Sequence, residues 1–155
     1  MRPPRSLAAT FRRVPVNRLL GFRLVSRSPR AVVMSMAVQP SLLQETGIVH
    51  GALVAALADT AAVYLVLPDL PEGQTMASIE FKVNFLRPGL PGAGDIEARS
   101  RLVQRGSRVV VCDVDVVQRR RLIAKALFTY LIFSKPKPAM TTKPGRSPKR
   151  RRRAS

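Results

Sequence analysis

The stretch Gly47-Ile48-Val49-His50-Gly51-Ala52-Leu53-Val54-Ala55-Ala56-Leu57-Ala58-Asp59-Thr60-Ala61-Ala62 decides how this chain is read. It opens as a glycine-punctuated loop and runs straight into an apolar helix that carries a single acid. A loop entering a helix at Gly51 leaves backbone N–H groups free at the helix N-terminus, where the helix dipole favours negative charge. Asp59 follows two turns later, among alanines and leucines, where an ionised group is costly unless a function requires it. From His50 to about Leu67, apolar residues occupy every helical angle, as in a helix buried on most sides. Pro68 ends that helix, and Pro71-Glu72-Gly73 turns the chain away from it.

The sequence on either side of the helix reads mainly as strands. Upstream, Val16 to Gly21 predicts a short helical turn stopped by glycine. Phe22 to Arg27 and Ala31 to Val38 form a strand pair around Ser28-Pro29-Arg30, and Pro40 to Thr46 is irregular. Downstream, Ile79, Phe81, Val83 and Phe85 alternate with Glu80, Lys82 and Asn84, which predicts a half-buried strand. The loop Pro88 to Gly94 leads to a second strand, Ile96 to Leu102. Arg105-Gly106-Ser107 turns the chain into a third, Arg108 to Val117. A fourth, Leu122 to Phe133, is apolar on both faces and is expected near the centre of the sheet. One long helix and a strand meander imply an α+β architecture, an antiparallel sheet wrapped around the helix.

The charge is unevenly distributed. The chain has 155 residues, 27 of them basic and 9 acidic. Residues 1–14 and 135–155 hold 13 of the basic residues and no acid, so the body is only mildly basic. The chain divides accordingly into a basic N-terminal extension, residues 1–14, a folded domain, residues 15–134, and a basic tail, residues 135–155. The tail has four prolines and nine basic residues, too little apolar surface to offset its ordering entropy, so disorder is expected. Cys112 is the only cysteine, which rules out an intramolecular disulfide. It alternates with Val110, Val114 and Val116 and reads as a buried, inert thiol. One histidine and one cysteine cannot build a typical zinc site, so no metal is expected. No apolar stretch is expected to approach the ~20 residues needed to span a bilayer. Met1 to Pro15 is Arg-rich and acid-free, without the apolar core of a secretory signal. The cytoplasm is the expected compartment, with a mitochondrial or plastid address, suggested by that Arg-rich start, as the alternative.

The Gly51–Asp59 spacing, together with Phe81-Lys82-Val83-Asn84-Phe85-Leu86-Arg87-Pro88, resembles the hotdog-fold acyl-CoA thioesterases of the phenylacetate-pathway type. The resemblance runs from about Pro15 to Phe133. It implies hydrolysis of an acyl- or aryl-CoA thioester, with Gly51 polarising the carbonyl and Asp59 activating water or attacking directly. It further implies that Gln44 helps hold the carbonyl, that Ser78 orients the water and that His50 shapes the loop or touches the acyl group. Arg87, Pro88, Gly106 and Arg108 are candidates for the coenzyme A phosphates, and Tyr64, Leu65 and the loop after Pro88 for the acyl pocket. The reading calls for no cofactor beyond the coenzyme A carried by the substrate. Relatives usually show His-Gly-Gly where this chain has His50-Gly51-Ala52. The Asp-His dyad of hydratase-type hotdogs is missing, because His50 is the only histidine and precedes Asp59.

Helix geometry adds a constraint. Eight residues separate Gly51 from Asp59, about 12 Å along one helix axis, so the two cannot meet one carbonyl carbon. A site with both needs Gly51 from one subunit and Asp59 from another, with the helices side by side across a two-fold axis. A homodimer, or a dimer of dimers, is therefore expected. Two other readings stand beside this one. The first is a non-catalytic hotdog that binds acyl-CoA. The second is a polyanion-associated protein acting through Lys149 to Arg153, which would bind nucleic acid nonspecifically by counterion release.

Overall fold

The computed structural model describes residues 5–136. In chain order these form α1 (Arg5–Arg13), α2 (Pro15–Leu19), β1 (Phe22–Arg27), β2 (Ala31–Met36) and α3 (Gly51–Val66). They continue with β3 (Gln74–Phe85), β4 (Ile96–Arg105), β5 (Val109–Gln118) and β6 (Arg121–Ser134). Short 3-10 turns lie at Pro40–Leu42 and Leu67–Asp69. The six strands make one sheet in the order β1-β2-β4-β5-β6-β3, every pair antiparallel. α3 packs across β2, β4, β5 and β6, so the sheet wraps the helix as the sequence implies. This is the hotdog fold.

The core forms where the inward parity of the strands meets α3. Val54, Leu57, Ala58, Ala61 and Leu65 of the helix are buried together with Met34, Met36, Ile96, Val114, Val116 and Phe128. Small residues along α3 let the helix sit close to the strands, and Ala58, Ala61 and Ala62 are completely buried. On the other face of the sheet, cross-strand charges alternate: Arg101 pairs with Asp113 and Asp115, and Lys125 joins both acids.

Several boundaries and burials differ from expectation. β3 starts at Gln74, five residues before Ile79, because its first residues pair with the end of β6. β3 is also a sheet edge, and its apolar side is uncovered: Ile79, Phe81 and Phe85 are 55%, 58% and 57% exposed. β6 lies one strand in from that edge, between β5 and β3. The helical run Gly51–Asp69, 19 residues, is long and apolar enough by length and composition to cross a membrane. This corrects the expectation that no stretch comes near that size. The helix is apolar all round because one side packs on the sheet and the other faces the open flank beside β3.

The N-terminal residues join this body. Phe11 of α1 is buried and meets the Tyr64 ring edge-on, with centroids 4.9 Å apart. Asn17, also buried, donates to the Phe11 carbonyl at 3.1 Å. Arg27 donates to the Tyr64 carbonyl and pairs with Asp69. Tyr64 is thus committed to the packing of α1, and Leu65 to the core. Neither lines the clefts described below, which corrects their expected place in an acyl pocket. Of the basic tail, residues 137–155 lie outside the described residues, and Lys135 donates its backbone N–H to Gly73.

Candidate active site

The loop before α3 is held on both sides. Gln44 and Gly47 close a tight turn through Gln44 N–H to Ile48 O (2.8 Å) and Gly47 N–H to Gln44 O (2.9 Å). Gly47 has φ +77 there, a conformation open to glycine at little cost. Val49 N–H donates to Gly89 O and His50 N–H to Leu42 O, which ties the loop to the segment after β3. His50 is the helix N-cap, and its Nδ1 accepts from Ala52 N–H at 3.1 Å. That bond leaves the ring proton on Nε2 and satisfies one of the free donors at the helix start. Among the described residues, the Gly51 N–H has no acceptor. It opens into a cleft of about 500 Å³ lined by Gln44, Gly51, Phe85, Arg87, Pro88 and Gly89, among others. Gln44, Gly51, Arg87 and Pro88, named from sequence, therefore meet in one place.

Two turns along α3, Asp59 opens into a second cleft of about 570 Å³, with Ala52, Ala55, Ala56, Ser78 and Phe81 among its walls. The half-buried Asp59 carboxyl is pushed above its ordinary range by desolvation, while hydrogen bonding to Tyr130 and Ser78 pulls the other way. Tyr130 donates its hydroxyl to Asp59 Oδ1 at 2.9 Å. Burial and the neighbouring carboxylate raise the Tyr130 phenol in turn, so it stays a protonated donor.

Tyr130 was not singled out in the sequence, although a signal was present. It is the only buried hydroxyl on the inward parity of β6, among Ala124, Ala126, Phe128 and Ile132, and a buried phenol needs a partner. Ser78 also reaches this cleft for a reason that simple alternation hides. The β3–β6 register slips between Ser78 and Glu80: Ser78 pairs with Tyr130, but Phe81 pairs with Phe128. The extra residue is a β-bulge, and it puts Ser78 and Phe81 on the same face.

Phe85 lines both clefts, and its ring lies 3.4 Å from where a Gly51 Cβ would be. Both clefts open on the flank that a single chain leaves uncovered. The structure does not bring Gly106 and Arg108 to either one. They occupy the β4–β5 turn, where Gly106 N–H donates to Val109 O and Arg108 O accepts from Ile132 N–H. The ten residues of β5 separate that turn from the β5–β6 end, roughly 30 Å at the usual strand rise. The exposed His50 acts at the helix start and is not among the lining residues of either cleft. Ala52, in place of the second glycine, is ordinary helix whose side chain joins the Asp59 cleft.

Comparison with known proteins gives the family and agrees with the fold. A family model described as the thioesterase superfamily matches residues 46–124, which include the loop, α3 and all the residues of the two clefts except Gln44 and Phe128. Among solved structures, the chain is similar to a thioesterase of Haemophilus influenzae (TM-score 0.77, 21% identity, covering 86% of this chain and 94% of that one). It is also similar to a thioesterase family protein of Silicibacter pomeroyi (TM-score 0.75, 26% identity, 83% and 96% covered). A third is the E. coli PaaI protein from the phenylacetic acid degradation operon (TM-score 0.73, 23% identity, 81% and 89% covered).

Proposed function

We infer what this chain does from one premise: it belongs to the thioesterase superfamily. It is a thioester hydrolase, and the substrate proposed here is an acyl- or aryl-coenzyme A. Gly51 N–H, at the positive end of α3, donates to the oxyanion that forms as the carbonyl becomes tetrahedral. Gln44 lies beside it as a second donor. Asp59 takes the proton from an attacking water, or attacks the carbonyl itself to give a mixed anhydride that water then cleaves. In both routes the C–S bond breaks, coenzyme A leaves as its thiolate and the acyl group leaves as the free acid. Tyr130 and Ser78 orient Asp59.

One observation carries this reading. The unpaired Gly51 N–H and the Asp59 carboxyl open on one uncovered apolar flank, yet lie about 12 Å apart along α3. A second copy laid across the exposed Ile79, Phe81 and Phe85 would bring one chain's Gly51 to the other's Asp59, so the proposed enzyme is at least a dimer.

Hybrid oligomers test it. Gly51 is the first residue of α3 and follows an extended His50 (φ −61, ψ 127), a position that accepts proline without loss of the helix start. Gly51→Pro therefore removes the donor while keeping the helix start, with its ring against Phe85, and Asp59→Asn removes the base. Each variant should be inactive on a panel of acyl-CoA esters. Co-refolded mixtures should regain part of the wild-type rate, because a hybrid pairs an intact Gly51 with an intact Asp59. Confirmed hybrids that stay inactive would refute the shared site, and a wild-type chain that hydrolyses no acyl-CoA would refute the substrate.

A further inference from the structure

The β5–β6 hairpin is built from residues that its geometry disfavours. Gln118 pairs with Arg121, so Arg119 and Arg120 are the two central residues of the turn, at φ +48 and +63. Two-residue turns of this hand favour Asn-Gly or Gly-Gly, because side chains are strained there. Here two arginines occupy the turn and a third, Arg121, follows. Arg119 and Arg121 line a cleft of about 400 Å³ together with Arg87, Pro88, Leu90 and Gln118. Arg87, Pro88 and Ile123 also line the Gly51 cleft, so the two form one continuous depression.

The walls of this depression are tied together. Gln118, buried, accepts from Leu90 N–H at 2.9 Å and donates to Leu90 O and Gly94 O, both at 2.8 Å. This pins the Pro88–Gly94 loop to the end of β5. Arg119 donates to Gly92 O and Arg87 to Leu122 O. Both partners are neutral carbonyls. Among the described residues, no carboxylate forms an ion pair with Arg87, Arg119, Arg120 or Arg121. Elsewhere on the surface Arg23, Arg99 and Arg101 each have an acidic partner. Backbone strain and uncompensated like charge both oppose this arrangement, and strain that persists at a cleft marks a functional demand.

We propose that the arginine hairpin and Arg87 form an anion site for the phosphates of coenzyme A, in the same subunit that presents Gly51 to the thioester. This rests on the acyl-CoA reading above, and it places the phosphates at the β5–β6 turn rather than at Arg108. The guanidinium groups offer planar, permanently charged donors suited to phosphate oxygens. The continuity of the two clefts leads the pantetheine arm from that anchor to Gly51.

The test is calorimetric titration of the full chain with coenzyme A, 4′-phosphopantetheine and pantetheine, which needs no turnover. Wild-type protein should bind them in that order, coenzyme A tightest, and its affinity should fall as salt rises. Arg119→Gln/Arg121→Gln should bind coenzyme A roughly ten- to a hundredfold more weakly, the loss of one or two charge-assisted contacts. Arg121→Gln alone, outside the strained pair, should give a smaller loss in the same direction. Arg120→Gly should raise Tm by relieving the turn. The proposal is overturned if wild type holds pantetheine as tightly as coenzyme A, if the double variant keeps wild-type affinity, or if Arg120→Gly lowers Tm. A chain that binds coenzyme A through this hairpin but hydrolyses no acyl-CoA would refute the enzymatic reading and leave the phosphate site standing.

Discussion

Tyr130→Phe should shift the acid limb of the activity profile to higher pH while leaving the fold in place. Phenylalanine keeps the ring, which is 1% exposed and stacks on Phe128 with centroids 6.3 Å apart. It removes only the hydroxyl, whose bond to Asp59 Oδ1 is 2.9 Å long. A hydrogen bond to a charged group contributes about 1.5–3 kcal/mol, and that much stabilisation of the ionised carboxyl would be lost. Asp59 is already raised by burial, and without its donor it rises further. In the proposed mechanism Asp59 acts only when ionised, so at a fixed pH on the acid limb kcat/KM should fall roughly ten- to a hundredfold. The two proteins should converge where both are fully ionised.

Stability should follow the same sign. A carboxyl raised in the folded state stabilises the fold below its unfolded value of about 3.9, and that contribution is lost as pH rises through the folded value. Tyr130→Phe makes the loss larger, so its Tm deficit should be widest near neutral pH and close on acidification. The deficit should be roughly 2–4 °C per kcal/mol for a chain of this size. The assay is acyl-CoA turnover against pH, followed by a thiol-reactive chromogen, with melts across the same range. Superimposable activity profiles, or a Tm deficit independent of pH, would refute the coupling between Tyr130 and Asp59.

Three other outcomes are expected. Asp59→Asn should lower turnover by about 10²–10⁴-fold yet melt at or above wild type at neutral pH, the difference vanishing towards pH 4; a wild type that is more stable at pH 7 would contradict the burial argument. Gly89→Ala should destabilise by about 1–3 kcal/mol, because the new Cβ would lie 2.9 Å from Ile96 Cδ1 and 3.2 Å from Val49 Cβ; chemical denaturation reads this directly. Cys112, wholly buried and with its thiol pushed up to about 12, should resist a thiol reagent at pH 8 until the protein is unfolded; rapid labelling of native protein would show that the strand opens.

Much of this protein was legible in local pattern. The apolar helix, the strand meander and the free donor at Gly51 each follow from residues close in sequence, where periodicity and capping act. The separation of Gly51 from Asp59 follows from helix rise alone, so the proposal that two subunits share the site can be argued from the chain itself. What the sequence could not settle is which distant residues meet. Ser78 faces Asp59 only because the β3–β6 ladder slips by one residue, and a one-residue slip reverses every later side chain. Tyr130 reaches Asp59 across 71 positions, and Arg119 joins Arg87 only when the β5–β6 turn closes against the loop after β3. The exposure of β3 is likewise a property of its place at the sheet edge, since its alternation is that of a half-buried strand. Local pattern sets which face a residue takes within its own element. Register and strand order set what that face meets, because they depend on pairings between segments far apart in the chain.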